Sequence, residues 1–217
     1  MTLRQWLHYI KTDAMKFNIK DLYKNKLDNL WKGQPVEITD RGYAVEQTLY
    51  MNSLLFLGLN PSTRGEKGFY TAKSDQYFAK SMEIAEEHSV HFCHHDLFQI
   101  RETKQNTLLD LEKKYPEFFR KQLELTKEII GRVKPRMIVI LNAEACRTFQ
   151  SFYGFEPGKD WNETLGVDIL PQLGGIPVLF SGMLSGQRPL DFGSFVRLKW
   201  HIRNTCRNLQ ISFEKEI

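Results

Sequence analysis

Gly58 to Ser62 form the stretch of the sequence whose residue types best suit ligand chemistry, and they read Gly-Leu-Asn-Pro-Ser. They follow an apolar run, Leu54–Leu57, which predicts a strand buried on both faces. Gly58 permits a tight turn, and Pro61 holds the preceding Asn60 in an extended geometry. The side chain of Asn60 is therefore presented at the carboxyl end of a central strand, where open α/β sheets bind ligands. An ordinary turn after a strand has the same composition.

The elements that must position Asn60 alternate between strands and helices. Strand patterns occur at Ser89–Phe98, Met137–Leu141 and Pro177–Phe180, in addition to Leu54–Leu57. Helical patterns begin at Ser74-Asp75 and cover 105–114, 116–132, Asn142–Tyr153 and Phe192–Leu209. This order predicts the α/β class, with a parallel sheet covered by helices on both faces.

Residues 1–50 have a different pattern, in which apolar and aromatic residues recur at roughly helical spacing among Lys and Asp. We expect a peripheral helical N-terminal extension here, with a short helix at about 44–51. The 217 residues are enough for one domain with its own core. We predict a single domain, 1–217, with an α/β core at 51–209 and a loop containing Gly and Pro up to Gly175.

Composition and charge limit the classes of protein to which this chain can belong. The chain is 41% hydrophobic and 26% charged, and no apolar run approaches the ~20 residues of a membrane span. We therefore expect a cytoplasmic protein without membrane contact. The net charge of +4 permits a polyanionic partner without requiring one. The three cysteines lack CxxC spacing and fit buried thiols better than disulfides, zinc or iron–sulfur sites: Cys93, Cys146 and Cys206.

His91, His94, His95 and Asp96 form a cluster that invites a metal interpretation. On a strand, His94 and Asp96 share one face while His95 points to the other, so the group cannot converge on one ion. We predict no metal and no cofactor.

Taken together, the order and spacing of these motifs resemble the uracil-DNA glycosylase superfamily. Gly58–Ser62 is similar to the Gly-x-Asn-Pro-Gly motif of the mismatch-specific and single-strand-selective branches of that family. Ser181–Gly186 occupies the place of the second active-site motif. Between them, four stretches look like successive family segments: Gly68-Phe69, Tyr77-Phe78, His95–Arg101 and Phe119–Phe149. The resemblance covers residues 50 to 205.

The resemblance implies a three-layer α/β/α fold around a central four-stranded parallel sheet, with the site at the carboxyl ends of the strands. It also implies an enzyme that extrudes a nucleotide from DNA and hydrolyses its N-glycosidic bond. Positive character develops on the sugar and negative charge on the departing base. Such a site needs a positioned water and hydrogen-bond donors aimed at the base.

In this interpretation, Asn60 positions the attacking water, and Phe69 or Tyr70 stacks on the flipped base. An amide is a poor general base, so catalysis would depend on stabilising the leaving group. For either aromatic side chain, packing onto the core is the alternative. The rest of the first motif is assigned to the base pocket (Gly58, Leu59, Pro61) and to DNA (Ser62).

Asp96 stands where the family usually has an Asn that reads the N3–H and O4 of uracil together. A carboxylate only accepts hydrogen bonds and would repel a carbonyl oxygen. Asp96 would then bind an N–H or an exocyclic amine, and the preferred base need not be uracil. Alternatively, Asp96 only caps a turn.

The second motif departs from the family because the usual His, which stabilises the anionic leaving group, is absent. Ser181 stands nearest its place, and the hydroxyls of Ser181 and Ser185 are candidate donors. Met183-Leu184 is typical of an apolar wedge that enters a base stack, and Arg188 is a candidate phosphate contact. The alternative is a flexible Gly/Ser connection with a buried Met.

We therefore predict a monomeric DNA glycosylase-like protein that removes a damaged or mismatched base from single- or double-stranded DNA. A non-catalytic relative that binds nucleic acid or a nucleotide is the alternative, favoured by the missing His and by Asp96. A hydrolase of free nucleosides is a third interpretation, and such an enzyme would not need the wedge at Met183-Leu184.

Overall fold

A computed structural model describes residues 15–72, 76–88, 90–186 and 188–215, with side chains up to residue 209. The first fourteen residues and the predicted helix start at Ser74-Asp75 lie outside the described residues. The helices are α1 (Ile19–Trp31), α2 (Val36–Thr39), α3 (Ala79–Glu87), α4 (Gln105–Lys114), α5 (Pro116–Val133), α6 (Ala143–Tyr153) and α7 (Phe192–Lys215). The strands are β1 (Lys16–Asn18), β2 (Ala44–Glu46), β3 (Thr48–Tyr50), β4 (Leu54–Gly58), β5 (Gly68–Tyr70), β6 (Phe92–Asp96), β7 (Met137–Leu141), β8 (Trp161–Asn162), β9 (Val167–Leu170) and β10 (Ile176–Ser181). Short 3₁₀ turns cover Gln76–Phe78 and Pro171–Leu173.

The central sheet has six strands in the order β6-β4-β7-β10-β9-β8. β6, β4, β7 and β10 run parallel, whereas β9 pairs with β10 and β8 pairs with β9 in the antiparallel sense. The predicted α/β class is confirmed, but the sheet is mixed and larger than the four parallel strands that we expected. The two additional strands fall within the stretch that we predicted to be a loop.

The parallel strands are buried on both faces, as predicted for Leu54–Leu57. Leu55 and Leu57 of β4 belong to a core cluster with side chains of α1, α4, α5 and α6. Leu54 and Phe56 face the opposite side and belong to a second cluster with α3 and α7. Helices therefore cover both faces of the sheet, and the four parallel carboxyl ends point to the same edge.

Residues 15–50 are not peripheral, in contrast to our expectation. Ile19, Tyr23, Leu27 and Trp31 recur every four residues along α1, and all four are buried in the first core cluster. The predicted helix at 44–51 is wrong, because this segment forms β2 and β3. β2 pairs in parallel with β5, and β3 pairs antiparallel with β1, so contacts with distant segments override the local preference.

Candidate functional site

The carboxyl ends of the parallel strands bring one row of residues to the same edge. Gly58 of β4 lies opposite Asp96 of β6, and Ser181 of β10 lies opposite Leu141 of β7. Adjacent strands are about 4.8 Å apart, so Asp96 and Ser181 lie roughly 14 Å from one another across three strand spacings. Asp96 and Ser181 can therefore act together only on a ligand that spans β4 and β7.

The carboxyl group of Asp96 lies directly beside Gly58. A Cβ atom built on Gly58 would overlap Oδ1 of Asp96 and would lie 3.3 Å from Nε2 of His94. Position 58 must be glycine because the side chains of two β6 residues, Asp96 and His94, occupy the space that a Cβ atom would need. The resemblance placed Gly58 in the base pocket, and the structure puts it against Asp96.

Asp96 is buried, with 8% of its side chain exposed. Within the described residues its carboxyl accepts no hydrogen bond, so it does not cap a turn; the nearest polar partner is Nε2 of His94, 3.7 Å from Oδ1. Burial disfavours the ionised form and raises the pKa of Asp96 to about 8. At neutral pH the group is mainly a carboxylic acid, which donates one hydrogen bond and accepts others. Our expectation of an accepting carboxylate is therefore corrected.

His94 supports Asp96 from the same face of β6. Burial, with a smaller effect of His95, lowers the pKa of His94 to about 3, so its imidazole is neutral. Its Nδ1 lies 3.2 Å from the hydroxyl of Tyr70, and its ring packs 4.5 Å from the ring of Phe78, measured between centroids. The side chains around Asp96 on this face are therefore neutral and aromatic.

His95 points to the opposite face, as predicted. Its Nε2 lies 3.4 Å from the hydroxyl of Thr126 on α5. Burial lowers the pKa of His95 to about 4. Within the described part of the chain, no group of three or more His, Cys, Asp or Glu side chains has the geometry of a metal site.

The structure separates the two aromatic residues that we considered for stacking, because neighbouring residues on a strand point in opposite directions. Tyr70 faces His94 and lies parallel to the Phe78 ring at a centroid distance of 6.5 Å. Phe69 packs edge-on against Tyr43, at 5.8 Å between centroids, and contacts the first core cluster. Tyr70 therefore belongs to the site, whereas Phe69 anchors β5.

The side-chain amide of Asn60 is used to join two loops. Its Nδ2 donates to the carbonyl oxygens of Pro61, Ile100 and Glu102, at 3.0, 3.4 and 2.7 Å. Three carbonyl oxygens around one atom fix the amide orientation, because the reverse orientation would place oxygen against oxygen. Only Oδ1 is left to accept a hydrogen bond from a water or a ligand.

The other residues of the first motif stabilise the same loop. Leu59 is buried in the first core cluster, and the carbonyl of Pro61 accepts from the backbone N–H of Glu102 at 2.9 Å. The hydroxyl of Ser62 lies 2.9 Å from that of Thr103 and also accepts from the backbone of Arg64. Leu59 is buried and Pro61 half-buried, whereas Ser62 is exposed to solvent.

The loop 181–191, which contains the second motif, lies next to these aromatic side chains through Tyr77. A Cβ on Gly186 would lie 3.0 Å from Cε of Met183 and 3.8 Å from the ring of Tyr77. Tyr77 is 46% exposed and packs edge-on against Phe78, at 5.1 Å between centroids. A continuous set of contacts therefore connects Asp96, through His94 and this aromatic pair, to the loop.

The residues of the predicted wedge have different environments. Leu184 is 3% exposed and packs in the second core cluster, whereas Met183 is half-buried beside Gly186. The backbone N–H of Leu190 donates to the carbonyl of Met183 at 2.8 Å and closes the loop. Leu184 is thus not presented to a base stack in this conformation. Ser181 and Ser185 are half-buried, and Arg188 is exposed.

Sequence reasoning missed the contributions of His94, Phe78 and Asn142 to this edge. Asn142 follows β7 with φ 88° and ψ 136°, a left-handed conformation that costs a non-glycine residue about 1–3 kcal/mol. Its backbone N–H donates to the carbonyl of Ser181 at 3.1 Å, and its Oδ1 accepts from the N–H of Glu144. The alternation of side chains along β6 was the available signal for His94, because it places His94 on the face of Asp96.

Two cavities lie beside these elements. One of about 330 Å³ lies beyond the edge strand β6 and shares His94 with the site; its lining includes Lys16, Glu46, Tyr50, Phe92 and Cys93. Another, of about 740 Å³, lies between α1 and α5, away from the carboxyl ends of the strands. Only the first is adjacent to the candidate chemistry.

No protein-family model matches the chain, and no curated protein matches its sequence. Within the described residues, no helix is long and apolar enough to cross a membrane. We therefore base the functional interpretation on the geometry of the site.

Proposed function

We propose that this protein binds an extruded nucleobase at the carboxyl ends of β4 and β6 and hydrolyses the N-glycosidic bond that joins it to DNA. One observation carries the proposal: the carboxyl of Asp96 is buried beside Gly58 and makes no hydrogen bond to the described residues. A buried polar group without a partner is unfavourable unless a ligand or water satisfies it. A base edge that has an N–H next to a carbonyl satisfies both the acceptor and the donor of a neutral acid.

The neutral state of Asp96 also supplies a hydrogen-bond donor in place of the His that the second motif lacks. When the bond between the sugar and the base breaks, the electron pair leaves with the base. An un-ionised acid in an apolar site can donate a hydrogen bond to an oxygen of that developing anion. In this mechanism Asp96 takes over the leaving-group role of the missing His of the second motif.

Asn60 has a limited role in this mechanism. Because its Nδ2 is committed to three backbone carbonyls, only Oδ1 is left to orient the water that adds to the anomeric carbon. An amide oxygen is not basic enough to remove a proton from water at neutral pH. The reaction is therefore dissociative: the water adds to the sugar cation after the bond has broken, and its proton goes to the departed base anion or to solvent.

The test is base release from oligonucleotides that contain uracil, hypoxanthine, xanthine or a G·T mismatch, in single- and double-stranded form. We expect Asp96→Ala to abolish release. Asp110→Asn, at an exposed position on α4, is the matched control and should leave the rate unchanged. Release that persists in Asp96→Ala would reject the role of Asp96. Wild-type protein that releases no base from any substrate would reject the catalytic proposal.

A non-catalytic nucleic-acid-binding protein is the second candidate, and the environment of Asn60 favours it. Asp96 is mainly protonated, the lowered pKa of His94, about 3, makes its imidazole a weak base, and the amide of Asn60 holds a loop. Salt-sensitive binding of the same oligonucleotides, without release of any base, would identify this function.

A further inference from the structure

Helix α7 has a stripe of exposed apolar side chains that the proposed base site does not use. Phe192, Val196 and Trp200 are 83%, 47% and 62% exposed, although most large apolar side chains of the protein are buried. They recur every four residues, so they lie on one face of the helix. Leu198, Ile202 and Cys206 hold the opposite face in the second core cluster. We refer to Phe192, Val196 and Trp200 as the aromatic stripe.

The segment around the aromatic stripe is strongly cationic. Residues 181–209 contain five Arg or Lys residues and one acidic residue, Asp191, which gives a net +4, equal to the formal net charge of the chain. The carboxylate of Asp191 accepts from the backbone N–H and the hydroxyl of Ser194, at 2.9 and 2.6 Å, and so caps α7. From Phe192 to Leu209 the helix has no acidic residue.

The cations differ in their environment. Lys199 is bound by Glu83 and Glu87 of α3, and Arg203 lies 3.7 Å from Glu87. Arg188 and Arg197 are exposed, and the guanidinium of Arg197 donates to the hydroxyl of Ser194 at 3.0 Å, close to the carboxylate of Asp191. Of the five cations in this segment, Arg188 and Arg197 are the nearest to Phe192 in the chain, four and five residues away, and both are exposed.

We propose that this face of α7 binds single-stranded nucleic acid, with bases stacked on Phe192 and Trp200 and phosphates held by Arg188 and Arg197. The two aromatic residues are eight positions apart, which corresponds to about 12 Å along a helix. Aromatic side chains interspersed with cations are the usual platform for single strands, because any base can stack and any phosphate can pair.

The size and charge of the surface favour this partner over the alternatives. A stable protein interface buries about 800 Å² on each partner, far more than three side chains provide. A helix that lies in a membrane surface needs a broad apolar face, but the broad apolar face of α7 is already packed against the sheet. A duplex keeps its bases stacked on one another, so it would not use the exposed rings.

The aromatic stripe is continuous with the candidate site in the chain. Phe192 follows the loop 181–191 directly, and the bond between the backbone of Leu190 and Met183 holds the two ends of that loop together. A strand on α7 would therefore lead towards the carboxyl edge of the sheet. The inference rests on the proposed nucleic-acid substrate, but it is tested by binding and not by base release.

The experiment is fluorescence anisotropy of the full chain with a labelled oligothymidylate of about twenty nucleotides, at about 50 to 200 mM salt. We expect the double variant Phe192→Ala/Trp200→Ala to weaken binding at least tenfold, since stacking contributes about 1–3 kcal/mol per base. Trp200→Phe should retain most of the affinity. Trp161→Ala, which removes a 49% exposed aromatic on β8, is the control and should bind like wild type. Arg197→Ala should reduce the salt dependence by about one phosphate contact.

Three outcomes would overturn the inference: no binding of the single strand at low salt, unchanged affinity in the double variant, or binding only to a duplex or to anionic phosphatidylserine vesicles. The same measurements distinguish a failure of this inference from a failure of the proposed glycosylase function. Strand binding through the aromatic stripe without base release rejects only the glycosylase. Base release with unchanged strand affinity in the double variant rejects only this surface.

Discussion

Gly58 and Asp96 occupy neighbouring positions at the ends of β4 and β6, and the carboxyl of Asp96 fills the space that a side chain at position 58 would need. We expect Gly58→Ala to displace Asp96 and to abolish ligand binding, with a loss of about 1–3 kcal/mol in the free energy of unfolding. Urea unfolding and oligonucleotide binding measure the two effects. Gly131→Ala is the control, because nothing lies within 4 Å of its added Cβ in helix α5, and it should stabilise slightly. Normal binding by Gly58→Ala would show that Asp96 does not contact the ligand.

The buried acid predicts a pH dependence of stability. The folded state raises the pKa of Asp96 from 3.8 to about 8, so between these values it holds a proton that the unfolded chain has released. The contribution of Asp96 to the free energy of unfolding therefore falls as the pH rises from 3.8 to about 8. Relative to Asp96→Asn, the wild-type free energy of unfolding should fall by about 1.4 kcal/mol per pH unit at its steepest. Urea titrations of both proteins from pH 5 to pH 9 measure the difference.

Below pH 6.5, His94 and His95 change the free energy of unfolding with pH in the direction opposite to Asp96. Burial lowers their pKa values to about 3 and about 4, so the unfolded chain binds protons that the folded state excludes. Their effect makes stability rise with pH up to the ordinary His value of 6.5. These three groups together predict a stability maximum near pH 6.5. A wild-type curve parallel to that of Asp96→Asn between pH 6.5 and pH 8 would refute an un-ionised Asp96.

Base release should also depend on the proton of Asp96. Above pH 8 the acid ionises and loses its donor, so we expect the rate to fall about tenfold per pH unit. Asp96→Asn retains one donor and one acceptor and should remain active without this alkaline decline. The measurement is the pH profile of single-turnover release for both proteins. The same decline in both would assign it to another group.

Asn60 provides a test that separates structure from catalysis. Asn60→Ala removes the donor shared by three backbone carbonyls, and we expect a loss of about 1–2 kcal/mol in the free energy of unfolding. Asn60→Asp should destabilise more, because a carboxylate would face those oxygens. Asn106→Ala, at an exposed position on α4, is the control. If Asn60→Ala unfolds like wild type, the loop does not depend on this amide.

The sequence was sufficient to predict the elements that local pattern determines. Met137–Leu141 was predicted with its observed bounds, because a run of five apolar residues shortly after Pro135 is typical of a short buried strand. Helices α4 and α5 were predicted to within a residue, since Tyr115-Pro116 separates them and Pro116 suits the first position of a helix.

Elements that depend on distant partners were not predictable in this way. β8 has two residues and β9 has four, and their pairing with β10 is a tertiary property. The interpretation of residues 44–51 as a helix failed for the same reason, because pairing with β5 and β1 decides their structure.

The position of Asp96 was predictable, but its charge was not. The order of motifs placed Asp96 at the end of a strand, and the ordinary pKa of an aspartate then suggested a carboxylate. Its ionisation depends on burial beside Gly58 and His94, which only the packed structure shows. In the same way, the amide of Asn60 is occupied by carbonyls about 40 residues away, which spacing alone does not indicate.

The contrast between Leu184 and Met183 gives a final test of the predicted wedge. Leu184 is almost fully buried among side chains of the second core cluster, so Leu184→Ala should cost about 2–4 kcal/mol of stability through the cavity it leaves. Met183→Ala should change stability by less than about 1 kcal/mol, because its half-buried side chain lies beside Gly186 and Tyr77. If Met183 enters the gap left by an extruded base, Met183→Ala should weaken release from duplex DNA more than from single strands, because only the duplex closes over an empty position. Thermal unfolding and strand-specific release assays of both variants distinguish these effects. Equal effects of Met183→Ala on the two substrates would exclude a wedge and leave this loop with a packing role.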